Sequence, residues 1–175
     1  MSQQWRTTRP GDDERAAYYA GYIADAPDGD LMDALTAQGS RLAQMVHDIP
    51  ESRGDHRYAP GKWSIKDVVL HICDAERIFS YRLLRFARGD ATNLPGFDEG
   101  TYVANAGAGA RTLADLAEEF AAVRRATVAL LTPLDDEAMS RQGTANNHPV
   151  SARALAWIMA GHAEHHARVL RERYL

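Results

Sequence analysis

Sulfhydryl is nearly missing from this chain: Cys73 is its one cysteine in 175 residues. A lone cysteine forms no intrachain bridge, so no disulfide framework holds the fold, and a reducing, cytoplasmic setting is expected. Lysine is almost as scarce, with two residues against eighteen arginines. Together with the abundant alanine, that imbalance reads as the coding bias of a GC-rich genome rather than as chemistry. A basic excess is absent too, since the formal net charge is −4. Gripping nucleic acid or an anionic membrane surface needs the opposite sign, so neither is expected as a partner. No stretch approaches the roughly 18 uninterrupted apolar residues of a membrane span. The opening Met1-Ser2-Gln3-Gln4-Trp5-Arg6 lacks the apolar run of a secretory signal. Clean alternating strand patterns are missing as well. What remains is 45% hydrophobic and 25% charged, enough for one domain to bury a core without disulfides or a structural metal.

The punctuation reads as all-α. Residues 1–27 form a mixed lead-in with Tyr18, Tyr19 and Tyr22, closed by Pro27 and expected to pack its aromatics on the main domain, residues 28–175. A first helix is expected from Asp28–Asp30 to Ile49, with Leu31, Leu35, Leu42, Val46 and Ile49 on one face and Pro50 as its stop. Gly39 weakens its middle by up to ~1 kcal/mol. Ser64-Ile65-Lys66-Asp67 has the spacing of a capping box and opens a second helix that ends near Gly89. Ile65, Val68, Val69, Ile72, Phe79, Leu83 and Phe86 are its apolar face. Thr112 and Asp115 mark the start of a third helix and Pro133 its end; a fourth runs from about Ser151 almost to Leu175. Residues 133–150 read as a polar loop, and residues 90–110 as a long connection between helices two and three. Four amphipathic helices of about 20 residues predict a four-helix bundle.

Seven histidines are present. His162 and His166 stand at i and i+4, so their imidazoles share one helix face, one turn apart. Leu155, Met159 and Val169 lie on the same face, which therefore points inward. His71 flanks the face of the second helix carrying Val68 and Ile72. Three neutral imidazoles from two helices make a metal site with coordination positions left open for substrate. The same pattern also fits ordinary core histidines. His165 rotates about 100° away from the pair and reads as a rim residue. His47, His56 and His148 read as solvated. No His-Glu-x-x-His is present, because Glu164 is misplaced in His162-Ala-Glu-His-His166, so a zinc-protease reading fails.

Three segments, in order, resemble the DinB-like superfamily of small metal-binding bundles. Tyr58-Ala-Pro-Gly-Lys-Trp-Ser-Ile-Lys-Asp-Val-Val-Leu-His71-Ile-Cys-Asp74-Ala-Glu76 resembles its Pro, Gly, Trp and ligand-histidine segment. Phe97-Asp98-Glu99-Gly-Thr-Tyr102 resembles its aromatic-Asp-Glu segment, with Tyr102 in place of the usual Trp. His162-Ala-Glu-His-His166 resembles its final His-x-x-His-His. The likeness runs from about residue 30 to the C-terminus.

The resemblance implies an up-up-down-down bundle with a long crossover between helices two and three. It implies His71, His162 and His166 as ligands of one divalent ion per chain, nickel or zinc, and a homodimer. Characterised members include thiol S-transferases that use bacillithiol or mycothiol, a thiol-dependent isomerase, and proteins described only as metal-dependent hydrolases. The expected function is therefore a thiol S-transferase joining a low-molecular-weight thiol to a small electrophile. The alternatives are a hydrolase that activates water on the metal and a non-catalytic, stress-associated metal-binding bundle. Asp98 and Glu99 are expected either to line the pocket mouth or to act as a general base for a thiol or water, Asp98 being the candidate base; a helix cap in the crossover is their other reading. Asp74 reads either as a support for a ligand imidazole or as part of a solvated face with Arg77. Glu76 stands under the same two readings. Trp63 is expected at the base of the core, Cys73 as a packed thiol, and the three tyrosines as packing that could also cover the site.

Overall fold

A computed structural model describes residues 3–175. Four long helices carry the fold: α2 (Leu31–His47), α3 (Ile65–Ala87), α5 (Leu113–Leu131) and α7 (Ala152–Val169), the last extended by a π-helical turn, Leu170–Tyr174. Each begins at a polar side chain that satisfies an otherwise orphaned amide. Asp30 accepts from Met32 N at 2.8 Å, Thr112 from Asp115 N at 3.1 Å and Ser151 from Ala154 N at 2.9 Å. At α3 the expected capping box forms: Ser64 Oγ accepts from Asp67 N at 3.1 Å while Asp67 accepts from Ser64 N at 2.9 Å.

The four helices form the expected four-helix bundle, but their directions differ from the expected order. Contacts between α3 and α5 climb in step, Glu76 with Arg124 and Ser80 with Thr127, so these helices are parallel. Contacts between α3 and α7 run in opposite order, His71 with His162 and Ser80 with Met159, so these are antiparallel. Gln38 meets Ala160 and Arg41 meets Glu164, so α2 and α7 are parallel. Glu51, just beyond α2, accepts from Leu113 N at the start of α5, so those two are antiparallel. The order is up-down-down-up rather than up-up-down-down. The reason is the long crossover. Parallel neighbours require a connection that travels back along the bundle, and residues 88–112 supply it between α3 and α5.

That crossover is built rather than loose. It contains α4 (Glu99–Asn105), and its Leu94 pairs with a hairpin: Leu94 N donates to Thr144 O, and Asn146 N donates to Leu94 O, each at 2.9 Å. The hairpin, β1 (Gln142–Ala145) with β2 (His148–Ser151), and the short α6 (Asp136–Ser140) replace the polar loop expected over 133–150. Asn146 and Asn147 take φ of 52° and 63°. Two consecutive positive-φ residues make the tight turn whose twist suits a hairpin.

The lead-in packs on the bundle. Trp5 is fully buried; its Nε1 donates to Leu134 O at 3.1 Å, and Trp157 Nε1 donates to Trp5 O at 3.0 Å. The short helix α1 (Ala20–Asp25) lies across α7 at Gly161, where a Cβ would stand 1.6 Å from Tyr22 O. Only glycine permits this crossing, and it seats Tyr22 beside His162. Arg168 clamps the end of α1 through two bonds of 2.8 Å to Asp25.

The apolar core falls into two clusters. One gathers Leu31, Leu35, Phe79, Leu83, Phe86 and Leu155 near one end; the other gathers Val46, Ile65, Ile72, Leu116, Phe120 and Leu170 near the opposite end. At their junction lies a polar layer. Arg124 makes a bidentate pair with Glu76 at 2.7 and 2.8 Å, and also donates to Gln38 Oε1 at 2.7 Å and Leu35 O at 3.1 Å. Gln38 in turn donates to Ala160 O at 2.9 Å, which ties all four long helices together. Gly39 finds its explanation here, because a Cβ would lie 2.8 Å from Arg124 Cγ. Among the described residues, no helix is long and apolar enough to cross a membrane.

Candidate metal centre

His71 sits on the second turn of α3, and His162 and His166 sit on successive turns of α7. Because the helices are antiparallel, the three rings meet beside the polar layer. The Nε2 atoms of His71 and His162 are 3.0 Å apart, and those of His162 and His166 are 3.2 Å apart. All three ligating atoms lie within 4.8 Å of one another. Hydrogen bonding alone does not satisfy this set. Each imidazole nitrogen has one in-plane position, either a proton or a lone pair, so His162 Nε2 serves only one of its two neighbours. A divalent ion serves all three. Bonds of about 2.0–2.1 Å to a tetrahedral ion separate ligand nitrogens by about 3.4 Å, close to the spacings found. The residues therefore fit a metal.

Electrostatics prepare the same outcome. Burial pushes the His71 imidazole down to about 4. Burial, with His71 and His165 nearby, pushes His166 down to about 3, and burial first among several causes holds His162 well below the ordinary histidine value. All three are neutral at pH 7, the form a metal needs. A folding consequence follows for the metal-free chain. Unfolded histidines take up protons near pH 6.5, whereas the folded ones refuse them until far lower pH. The unfolded state thus binds more protons between those limits. Stability from this source is complete above about pH 6.5 and is lost as pH falls toward 4, by about 1.4 kcal/mol per pH unit for each histidine. Denaturant melts of chelator-treated protein between pH 7.5 and 5 should show that decline. A flat profile would mean that the imidazoles are not buried in neutral form.

Aromatic rings wall the cluster. Trp63 leans on His71 with centroids 4.9 Å apart, while Tyr22 and Phe79 stand edge-on to His162 at 5.2 and 5.9 Å. Two cavities reach the histidines. One, of about 290 Å³, opens over His162 and is lined by Tyr18, Tyr19, Tyr22, Arg82 and Glu99 among others. The second, of about 370 Å³, opens over His166 and is lined by Lys62, Trp63, His165 and Tyr174. Larger grooves of about 420 and 540 Å³ run along the outside of α5, away from the three histidines.

The other residues singled out in the sequence take definite places. Asp98 caps α4, accepting from Thr101 N at 2.7 Å, and hydrogen bonding from the Thr101 side chain first, then from this amide, lowers its carboxyl pKa. The neighbouring Glu99, not Asp98, lines the cavity over His162; the residue is exposed as a whole, and partial desolvation of its carboxyl raises its pKa, helped by the charge on Asp98. Asp74 lies 3.6 Å from Arg77, and Glu76 is committed to Arg124. Trp63 is half-buried: it packs against the apolar cluster of Val46, Ile65 and Ile72, as expected, and also leans on His71. Cys73 is fully buried, and burial first, then Glu119, pushes its thiol up to about 12, so it is no nucleophile at neutral pH. His165 is partly exposed beside His166, with Nδ1 3.5 Å from Asp25, and His47, His56 and His148 are exposed. Tyr102 is exposed and packs on Phe97.

Fold and site together define a helical bundle with a three-histidine cluster set in its interior. Residues 34–170 match the model of the DinB superfamily, and the chain belongs to that superfamily. Among solved structures it is similar to YfiT from Bacillus subtilis, described as "a probable metal-dependent hydrolase with an unusual four-helix bundle topology". The two share 16% identity with a TM-score of 0.73 over 96% of this chain and 97% of the other. No curated protein sequence matches the chain.

Proposed function

We propose that the protein is a metal-dependent enzyme acting on a small molecule, and that it transfers a low-molecular-weight thiol to an electrophile. The observation that carries this reading is the convergence of three neutral imidazoles on one point at the wall of an open cavity. One divalent ion, zinc or nickel, held by His71, His162 and His166 would supply a Lewis acid that lowers the pKa of a coordinated thiol or water. Among the described residues no anionic ligand joins the three histidines, so the ion's charge would be left to act on the incoming nucleophile. Cys73 is too deeply buried to supply the sulfur itself. The tyrosines of the lead-in restrict water on the cavity side, and Glu99, with its raised pKa, is placed to take up a proton.

Glu99 also supports a second reading, hydrolysis, in which it receives the proton of an attacking water. The description of YfiT points the same way. A single comparison separates the two. Zinc- and nickel-loaded protein is assayed with 1-chloro-2,4-dinitrobenzene plus a panel of thiols, and with p-nitrophenyl acetate without thiol. Turnover that requires both thiol and metal is the expected result. Metal-dependent ester cleavage indifferent to thiol would replace it with the hydrolase, and stoichiometric metal with no turnover in either assay would leave a binding bundle.

A further inference from the structure

Two arginines are buried to the same depth in the bundle and are treated in opposite ways. Arg124, 2% exposed, is neutralised by the bidentate carboxylate of Glu76. Arg82, 3% exposed, has no acidic group within ion-pair distance among the described residues. Its Nη2 donates to Pro95 O at 2.8 Å, its guanidinium lies 5.9 Å from the centre of the Phe97 ring, and the Tyr19 hydroxyl is close by. Among the described residues the one buried side-chain nitrogen or oxygen without a partner is Arg15 Nε. The remaining N–H donors of Arg82 are therefore not sealed in the core; they open on the cavity of about 290 Å³ that Arg82 shares with His162.

A buried guanidinium without a counter-ion is costly, and an anion in reach offsets that cost through charge-assisted, forked hydrogen bonds. We propose that Arg82 is the recognition residue for an anionic group, carboxylate or phosphate, on the small molecule that the cavity admits. The opposite end of that molecule then faces His162 and the metal position. The cavity lies at the small end of ligand pockets, so the anion and the reacting group are separated by only a few bonds. Asn146, which also lines the cavity from the hairpin turn, is placed to add an amide donor. This inference rests on the reading of the cavity as the substrate chamber, but not on thiol chemistry.

Two experimental arms keep these apart. In the first, cobalt(II)-loaded protein is titrated with 3-mercaptopropionate and with the neutral 3-mercapto-1-propanol, following the sulfur-to-cobalt absorption. The acid should bind at least about tenfold tighter than the alcohol. Arg82→Gln should erase that ratio without weakening the alcohol, and Arg82→Lys should restore part of it. In the second arm, metal-free protein is melted with acetate or inorganic phosphate. Saturable stabilisation by one of them, lost in Arg82→Gln, supports the anion site and tells carboxylate from phosphate. If neither thiol binds cobalt but an anion still stabilises through Arg82, the thiol reading falls and the anion site stands. Equal binding of acid and alcohol by the unsubstituted protein, with no stabilisation by either anion, overturns the proposal whether or not Arg82→Gln folds. In that case Arg82 merely pins the crossover through Pro95.

Discussion

Replacing His162 with alanine should remove the metal. Protein purified without an affinity tag is expected to carry about one divalent ion per chain, and His162→Ala to carry none after dialysis. His162 is central because both short nitrogen–nitrogen contacts, 3.0 and 3.2 Å, are its own. Without it, His71 and His166 face each other across the gap it filled, and two nitrogens at that span hold an ion poorly. Even partners that merely support a ligand are worth about 10–100-fold in metal affinity, so a lost ligand should cost at least about 100-fold. His71→Ala and His166→Ala should also weaken binding beyond retention, because each leaves only two ligands. His165→Ala is the control. Its ring lies next to His166 but is directed at Asp25 and Arg168, so the ion should stay. Elemental analysis of the five proteins side by side checks this. Full stoichiometry in His162→Ala would place the ion elsewhere and empty the cluster of its proposed role.

Much of this site was legible in the chain. The i, i+4 pair and the capping box that sets the phase of α3 are local features, and local features are what a sequence displays. The helix directions were harder. The long connection between helices two and three spoke against simple alternation, but the up-up-down-down order came with the resemblance, and only the contacts between α3 and α5 show that this connection joins parallel neighbours. The hairpin escaped because its strands have four residues each and are partly exposed, which leaves no alternation to see; the Asn146-Asn147 turn was its only mark. Asp98 and Glu99 were both legible as residues of the pocket mouth, but which of them caps a helix and which lines the cavity depends on the backbone turn that α4 defines.

The polar layer left a subtler trace. In α2 the apolar face runs through Leu31, Leu35 and Leu42, and Gln38 occupies the missing position. In α3, Ile72, Phe79 and Leu83 enclose Glu76, and Phe79, Leu83 and Phe86 enclose Arg82. In α5, Phe120, Thr127 and Leu131 enclose Arg124. Each gap in an inward face holds a buried polar residue. A skipped position in a helical stripe is therefore informative, since burying a charge requires a partner or a purpose.

Breaking that layer should be the most destabilising change outside the apolar core. Glu76→Leu removes the carboxylate from a guanidinium that is 2% exposed and cannot shed its proton. An uncompensated buried charge of this kind costs about 3–5 kcal/mol. For a chain of this size that amounts to a fall in Tm of roughly 6–20 °C. Arg124→Met should be milder, because the orphaned Glu76 can take up a proton and become neutral. The double variant Glu76→Leu/Arg124→Met is the decisive one. With both charges gone, stability should return to within about 1 kcal/mol of the parent or exceed it, as when apolar residues replace buried pairs elsewhere. Metal affinity should not return with it. Arg124 orients Gln38, and Gln38 holds Ala160 O two residues before His162, so the double variant loosens α7 where the ligands sit. Calorimetry paired with metal titration separates the two effects. Recovered stability with weakened metal binding would mean that the layer positions the site and adds little net stability. Recovery of both would reduce the layer to a packing solution, and loss of neither in Glu76→Leu would show that the charge finds another partner.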